Sequence, residues 1–333
     1  MSEPSASVPA SHRGETLGYI FGLLGVASFS LTLPATRVAV HSIDPMLVAS
    51  GRAVTAAMLG ALCLLIARAR RPRGTQWGSV AVVALCLGCL FPYFASIGSV
   101  YAPSSHGAVI LGLLPIFTSL AGMLRVGERP SRGFWLAGAL GSGAVIAFAI
   151  WQNQGHGLQI ADLALFAAAI AASFGYAEAA RVAPFLGSWQ VVCWALILAL
   201  PATIAITISR WSAHPPQDVP AMAWGAFAYV AAISQLFGVM LWTHGLKLGG
   251  VARVGQLQLL MPFMTFVAAA WWLGESVGPA TWLTAGAVLV SILLSGKAGV
   301  TRRAPLADAT AQRHTAILPV SAPRSKTVAS EQI

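Results

Sequence analysis

The chain contains its own sequence twice, at a nearly constant shift of 147 residues. The clearest matches join 113–118 to 260–265, Gly127-Glu128 to Gly274-Glu275, and Trp135-Leu136 to Trp282-Leu283. Weaker matches at shifts of 144, 145 and 147 indicate that only short loop insertions separate the two copies. A duplication of this length means that the fold is built from two related units.

Both units belong in a lipid bilayer. The chain of 333 residues is 57% hydrophobic and only 9% charged, which is too little charge to solvate a globular surface. A helix needs about 20 apolar residues to cross the hydrocarbon core, where unpaired backbone groups are not tolerated. Ten such stretches, named helix 1 to helix 10 in chain order, lie at 17–36, 46–66, 77–98, 105–124, 133–151, 160–179, 188–208, 222–244, 252–273 and 279–296. We therefore predict an all-α polytopic membrane protein.

Five helices fall in each half, so the second unit enters the membrane from the opposite side to the first. The first repeat covers 17–151 and the second 157–296, with tails at 1–16 and 297–333. The C-terminal tail is polar and basic without apolar periodicity, which predicts disorder. Two inverted five-helix repeats around a site near the membrane midplane are typical of secondary transporters.

The net charge of +10 is explained by where the arginines and lysines lie. If the N-terminus is cytoplasmic, 17 of these 20 residues fall in cytoplasmic segments, and the opposite side holds only Arg37 and Arg210. This positive-inside bias predicts a multi-pass protein of the cell membrane with both tails in the cytoplasm. Because this bias accounts for the positive charge, no nucleic-acid partner is needed to explain it.

No cofactor or metal site is expected from the sequence. All four cysteines lie within predicted helices, and Cys86 and Cys89 are interpreted as small packing residues rather than a redox pair. The chain has no phosphate-binding loop of an ATPase, so the energy for transport is expected from the proton-motive force or the substrate gradient. The coupling ion and the formation of a homodimer stay open.

Pro115 of helix 4 and Pro262 of helix 9 occupy equivalent positions in the two repeats. A proline inside a helix removes one backbone hydrogen bond and opens the helix locally. We expect two symmetry-related kinks that bend toward a shared central path. Static kinks that serve packing alone are the alternative.

Together these features resemble the EamA-type branch of the drug/metabolite transporter superfamily, whose members carry two repeats of five helices. The resemblance covers about 17–296, and its most specific elements are Pro115 followed by Gly127-Glu128 and Pro262 followed by Gly274-Glu275. It implies a secondary carrier with an alternating-access cavity, usually an exporter of amino acids, related metabolites or toxic organic compounds. Arg52 near the start of helix 2 is also family-like, and the second repeat lacks its counterpart.

Two ionisable residues inside predicted helices are candidates for the mechanism, because such residues are costly in a membrane. Arg52, about two turns into helix 2, can hold a substrate carboxylate with its forked guanidinium. Snorkelling outward, or pairing with Asp44 and backbone carbonyls, is the alternative. Glu178, near the end of helix 6, is a candidate proton carrier, whereas its spacing to Arg181 favours a local ion pair.

Further residues outline a cavity of mixed polarity. The polar and aromatic side chains expected to line it are Tyr93, Trp194, Gln235, Trp242 and Gln258. An interhelical hydrogen bond or an interface anchor is the alternative for each of them. Glu128 and Glu275 follow helices 4 and 9, where each carboxylate is expected to bind the amides at the start of the next helix in a structural role.

We expect an efflux carrier for a small-molecule substrate, not an enzyme. A membrane-embedded lipid-modifying enzyme, the first alternative, needs paired carboxylates, a metal-ligand cluster or a nucleophile beside a base. The candidate groups of this chain are scattered instead. A passive channel is the second alternative, and saturable counterflow distinguishes a carrier from it.

Overall fold

The structure is a computed structural model that describes residues 12–101, 110–152, 160–265, 267, 279–298 and 300–302. Nearly all of these residues are helical. In the first repeat the helices run His12–Ser30 and Thr32–Val40 (helix 1), Pro45–Ile66 (helix 2), Gln76–Val83, Ala84–Leu90 and Phe91–Tyr101 (helix 3), Leu114–Val126 (helix 4) and Arg132–Gln152 (helix 5). Glu275 and the tail residues 1–11 and 303–333 lie outside the described residues.

The second repeat has the same order of elements. Its helices run Ile160–Leu186 (helix 6), Ser188–Ala213 (helix 7), Ala221–Ala228, Tyr229–Gly238 and Val239–Gly249 (helix 8), Val251–Gly255 and Gln256–Leu260 (helix 9) and Pro279–Lys297 (helix 10). Residues 261–265 continue helix 9. Two short strands, Glu128–Pro130 and Val300–Arg302, form a two-stranded sheet.

Within the described residues, six helices are long and apolar enough to cross a membrane. They are Gly14–Val40, Pro45–Ile66, Gln76–Tyr101, Ala161–Leu186, Ser188–Ala213 and Ala221–Gly249. Leu114–Val126 is a shorter apolar helix. The prediction of a helical, polytopic membrane protein is therefore confirmed, and the count of ten crossings stays a prediction.

The helices pair in the way that an inverted duplication requires. Helix 1 packs on helix 8 and helix 3 packs on helix 6, while helices 2, 4 and 5 pack on helices 7, 9 and 10. Each helix corresponds to the one five places later, so exchanging the repeats converts the first two contacts into each other. The other three pairs map onto themselves. Such a pattern indicates a two-fold axis that relates the repeats.

The contact between helices 1 and 8 brings two backbones together through glycine. Gly18 and Gly22 are four residues apart, and so are Gly245 and Gly249, so each pair lies on one helix face. A methyl group at Gly245 would lie 2.6 Å from the Gly22 nitrogen, and one at Gly18 would lie 2.6 Å from the Gly249 nitrogen. Small residues at this spacing let membrane helices approach closely and pack tightly.

Contacts between distant segments identify one end of the bundle, which we name the basic end. Arg253 at the start of helix 9 pairs with Glu15 at the start of helix 1, at 2.6 Å. Trp194 near the start of helix 7 donates to the carbonyl of Arg70 in the loop between helices 2 and 3. The Ser188 hydroxyl at the start of helix 7 lies 3.2 Å from Nδ1 of His244, near the end of helix 8. Helices 1, 3, 7 and 9 thus start at this end and helices 2 and 8 finish there, as the inverted topology requires.

Four helices depart from regular α-geometry at equivalent places. Ala84–Leu90 in helix 3 and Tyr229–Gly238 in helix 8 are π-helical. Helix 9 is a 3₁₀-helix over Gln256–Leu260, just before Pro262, and helix 4 turns at 112–113, just before Pro115. Irregular backbone inside a membrane requires partners from the protein, and it often occurs at functional sites.

Replacement of Gly245 by alanine should weaken the bundle, because the new methyl group meets the backbone of helix 1 and not a flexible side chain. We expect a loss of about 1–3 kcal/mol in the free energy of unfolding, as for other overpacked contacts. Gly225→Ala, also in helix 8, is the matched control, because a methyl group there meets nothing within 4 Å. Thermal unfolding of the purified variants gives the comparison. Equal stability of the two would contradict the close contact.

Candidate substrate site

Arg52 is completely buried in helix 2, although arginine is among the residues least often found inside proteins. Helix 2 begins at Pro45, and the Asp44 carboxylate caps it by accepting a hydrogen bond from the Leu47 amide at 2.9 Å. Since Asp44 serves as a cap, the structure does not pair it with Arg52. The guanidinium also does not snorkel outward.

Arg52 has few polar neighbours. Its Nη2 lies 3.4 Å from the hydroxyl of Ser234 in helix 8, which shares a 2.8 Å hydrogen bond with Thr32 in helix 1. The guanidinium carbon lies 6.0 Å from the centre of the Phe91 ring. Nε and Nη1 have no hydrogen-bond partner among the described residues. This corner of the bundle therefore offers unused, positively charged donors.

Aromatic rings form the apolar part of the same region. Tyr176 of helix 6 lies near Arg52 and stacks on Phe29, with ring centres 5.9 Å apart. Both rings meet Trp242 edge-on, at 5.9 and 6.1 Å. Of the residues predicted to line a cavity, Trp242 thus lies in this aromatic cluster, completely buried.

Two predicted glutamines are buried and hydrogen-bonded between helices. Gln235 donates to the carbonyl of Leu87 at 2.6 Å, which joins the π-helical segments of helices 8 and 3. Gln258 accepts a 2.9 Å hydrogen bond from Thr118 of helix 4, which in turn lies 3.2 Å from Ser173 of helix 6. Their observed contacts are the interhelical bonds named as the alternative to cavity lining.

Tyr93 and Trp194 lie toward opposite ends of the bundle. Tyr93 lines a cleft of about 520 Å³ near the end opposite the basic end. The other lining residues are Met46, Ala205, Ile206, Ser209 and Arg210. Trp194 instead packs edge-on against Trp77, 6.0 Å away, and bonds Arg70 at the basic end. Trp194 therefore does not join the cluster around Arg52.

Glu178 is completely buried and bound by two arginines. Arg181 reaches back to it from the same helix, which is the ion pair that the sequence suggested. Arg125 of helix 4 approaches its other side at 2.7 Å, and Arg181 also donates to Ser79 of helix 3 at 2.7 Å. We name Ser79, Arg125, Glu178 and Arg181 the ionic cluster. It ties helices 3, 4 and 6 together at the basic end and favours a charged Glu178.

Glu128 caps a helix, but not the next one in the chain. Its carboxylate accepts hydrogen bonds from the amides of Val251 and Ala252, at 2.8 and 2.6 Å, at the start of helix 9. Gly250 makes this possible, because it has a φ of +88° and a side chain there would reach within 3.2 Å of the carboxylate. The sequence prediction named the right chemistry and the wrong helix.

Comparison with known proteins identifies the family to which this chain belongs. The model of the EamA-like transporter family matches residues 16–150 and again 159–296. The chain belongs to this family. The family model matches the chain twice, so the predicted resemblance to this two-repeat family is confirmed.

Relatives extend along most of the chain. An uncharacterized transporter of Bacillus subtilis, YdeK, is 40% identical over 267 residues, which cover 79% of this chain and 91% of YdeK. A probable terminal-alkyne amino-acid exporter of Streptantibioticus cattleyicolor is 24% identical over 286 residues, covering 84% and 94%. One solved structure has a TM-score of 0.67 at 16% identity, covering 84% of this chain and 98% of the other, and it supports the fold alone.

Sequence reasoning about this EamA-family chain missed four neighbours that define the site. Ser234 contacts Arg52, Tyr176 and Phe29 stack on each other in the aromatic cluster, and Arg125 completes the ionic cluster. Serine and aromatic residues are common in membrane helices, so composition does not single them out. Arg125 had a usable signal, since it ends helix 4 on the side where Glu178 ends helix 6.

The cap formed by Glu128 gives a direct stability test. Glu128→Gln keeps one acceptor oxygen but turns an amide group toward a backbone N–H, so one buried donor loses its partner. We expect the free energy of unfolding to fall by about 1–3 kcal/mol, measured by thermal or denaturant unfolding in detergent. Asp218→Asn in the exposed loop between helices 7 and 8 is the control. Similar values for both variants would argue against the cap.

Proposed function

We propose that this EamA-family protein is a secondary active exporter of small carboxylate-bearing metabolites, working by alternating access. The observation that carries the proposal is the difference between the two ends of the bundle. Hydrogen bonds and ion pairs close the basic end, whereas a cleft of about 520 Å³ lies toward the opposite end. A carrier that alternates between two openings has this asymmetry in either of its end states.

The direction of transport is inferred from charge. The basic end carries the arginine-rich loop at 68–73, and the positive-inside rule assigns such loops to the cytoplasm. We therefore infer that the described state is closed toward the cytoplasm. In this proposal the protein lies in the cell membrane with both tails inside, and the cleft is the exit route.

The ionic cluster is proposed to act as the cytoplasmic gate. Glu178 and Arg125 belong to helices 6 and 4, so separating those helices requires breaking the ion pair. The duplication provides no second copy, because Pro34 occupies the place equivalent to Glu178 at the shift of 144 and Trp272 the place equivalent to Arg125 at 147. The two gates would thus differ in chemistry, although the helices that form them are related.

Arg52 is proposed to anchor the substrate. Its unused donors are suited to a carboxylate, and the aromatic cluster supplies a wall for an apolar body. The relative named as a probable terminal-alkyne amino-acid exporter is compatible with a substrate of this general kind. Toxic organic acids satisfy the same requirements. Gln235 and Gln258 are assigned to holding the irregular helices in place.

Neutralising Glu178 distinguishes a gate from a proton carrier. In Glu178→Gln the contacts to Arg125 and Arg181 weaken, and we expect a cost of about 1–3 kcal/mol, reduced because the two arginine side chains remain 39% and 44% exposed. Hydrogen exchange should rise in peptides covering 76–83 and 174–186, and counterflow and gradient-driven transport should fall together. Asp218→Asn, which removes an exposed negative charge at the opposite end, is the control.

A proton carrier would behave differently. Substrate counterflow would persist in Glu178→Gln while only proton-driven accumulation disappeared, and hydrogen exchange at the basic end would stay at the level of the unmodified protein. That combination of results would remove the ionic cluster from the gate and restore Glu178 as the coupling residue.

Transport itself is tested by counterflow in proteoliposomes. Vesicles loaded with an unlabelled mixture of small carboxylates and amino acids should take up a labelled member transiently and saturably, which excludes a passive channel. Arg52→Ala should lose at least nine-tenths of this exchange, on the order of the 1.5–3 kcal/mol that a hydrogen bond to a charged group contributes. Arg71→Ala, in the exposed loop at the basic end, is the control. Exchange that is unchanged in Arg52→Ala, or a chemically altered product, would contradict the proposal.

A further inference from the structure

We infer that the site at Arg52 selects compounds with a single net negative charge, small monocarboxylates with an apolar body, over zwitterionic amino acids. The inference rests on the proposed function, because it specifies the substrate class of that carrier. It follows from which charges lie near Arg52 and which do not.

Arg52 has more donors than the described protein satisfies. A guanidinium presents five N–H groups, and the described residues provide one contact, the 3.4 Å approach of Nη2 to Ser234. Nε and Nη1 remain without a partner there, although the residue is completely buried. A buried charge without a counter-ion is strongly unfavourable, so an anion is the ligand that this site favours most.

The acidic residues of the described chain are used elsewhere. Glu15 and Glu178 form ion pairs with other arginines, Asp44 caps helix 2, and Glu128 caps helix 9. Asp162 lies in the first turn of helix 6, 14 residues before Tyr176, which corresponds to about 20 Å along a helix. Asp218 lies in the exposed loop after helix 7. No described carboxylate is therefore bonded to Arg52, and none is available beside it for an ammonium group.

The neutral acceptor that contacts Arg52 is also engaged, because the Ser234 hydroxyl shares its hydrogen bond with Thr32. An ammonium group brought into this region would lose water without gaining a charged acceptor, which is costly. A carboxylate alone pairs with the guanidinium, and its apolar body meets the rings of Phe91 and the aromatic cluster.

The cleft points to the same selectivity. Of its six lining residues, Arg210 is the charged one, and it lies near the end of helix 7. Met46 lines the cleft and precedes Arg52 by six residues in helix 2, about 9 Å along the helix axis. On the proposed export route through the cleft, an anion released from Arg52 passes a second positive charge, whereas an ammonium group is repelled by both.

The decisive comparison uses two ligands that differ in one group. Leucine is 4-methylpentanoate with an added ammonium, so the pair isolates the effect of that charge on an identical carbon skeleton. Binding to the full-length protein in lipid nanodiscs is measured by calorimetry at neutral pH. We expect 4-methylpentanoate to bind roughly tenfold or more tightly than leucine, and 3-methylbutylamine, which keeps the ammonium alone, not to bind.

Variants assign this preference to Arg52. Arg52→Gln should weaken 4-methylpentanoate binding by roughly tenfold or more, Arg52→Lys should retain part of it, and Arg71→Gln should leave it unchanged. The inference is wrong if leucine binds as tightly as 4-methylpentanoate, if neither binds to the folded protein, or if Arg52→Gln binds normally. The ligand comparison uses the unmodified protein, so it holds even if an Arg52 variant fails to fold.

Counterflow separates this inference from the proposed function. Saturable exchange of leucine that depends on Arg52 and exceeds exchange of 4-methylpentanoate would refute the selectivity and leave the carrier standing. Absence of saturable exchange for every carboxylate and amino acid tested would refute both. Preferential exchange of 4-methylpentanoate would support both.

Discussion

A backbone inside hydrocarbon must find every hydrogen-bond partner within the protein, because no water reaches it. Regular helices meet this requirement alone, so each departure from them needs a side chain or a neighbouring helix. The departures here occur in helices 3, 4, 8 and 9, at positions related by the duplication. Gln235 illustrates the compensation, since its amide bonds the Leu87 carbonyl in the opposite π-helical segment. Gln256 and Gln258 are likewise buried in the 3₁₀-helical segment of helix 9.

The duplication supplies a symmetric frame, and a few residues break that symmetry. Helices 1 and 8 pack as helices 3 and 6 do, yet Arg52 has Ala199 as its counterpart at the shift of 147. Glu178 has Pro34 at the shift of 144. Charges are costly in a membrane, and each of these two occurs in one copy. In the proposed function, Arg52 gives one half a binding group and Glu178 gives one end a closing contact. Two related halves can therefore perform different tasks during one transport cycle.

The sequence predicted the features that depend on composition and period, and missed those that depend on contact. The amino-acid sequence alone was enough to predict the duplication and the apolar helices. It also showed that Arg52 would be costly in a membrane. The pair of Glu178 with Arg181 followed from helical spacing, whereas Arg125 is 53 residues away in the chain. Glu128 was assigned to the next helix because the sequence does not show that the start of helix 9 lies beside it. Trp194 was grouped with a cavity although it lies at the basic end, since an aromatic residue fits either place.

The glycine contact between helices 1 and 8 also bears on how the protein is made. Gly18 and Gly249 touch in the finished bundle, but 231 residues separate them in the chain. At synthesis rates of about 5–20 residues per second, helix 1 waits on the order of ten to fifty seconds for its partner. During that interval its glycine face lies against lipid or a temporary neighbour. Helix 1 is thus made long before it can reach its final packing on helix 8, and the bundle closes in an order different from synthesis.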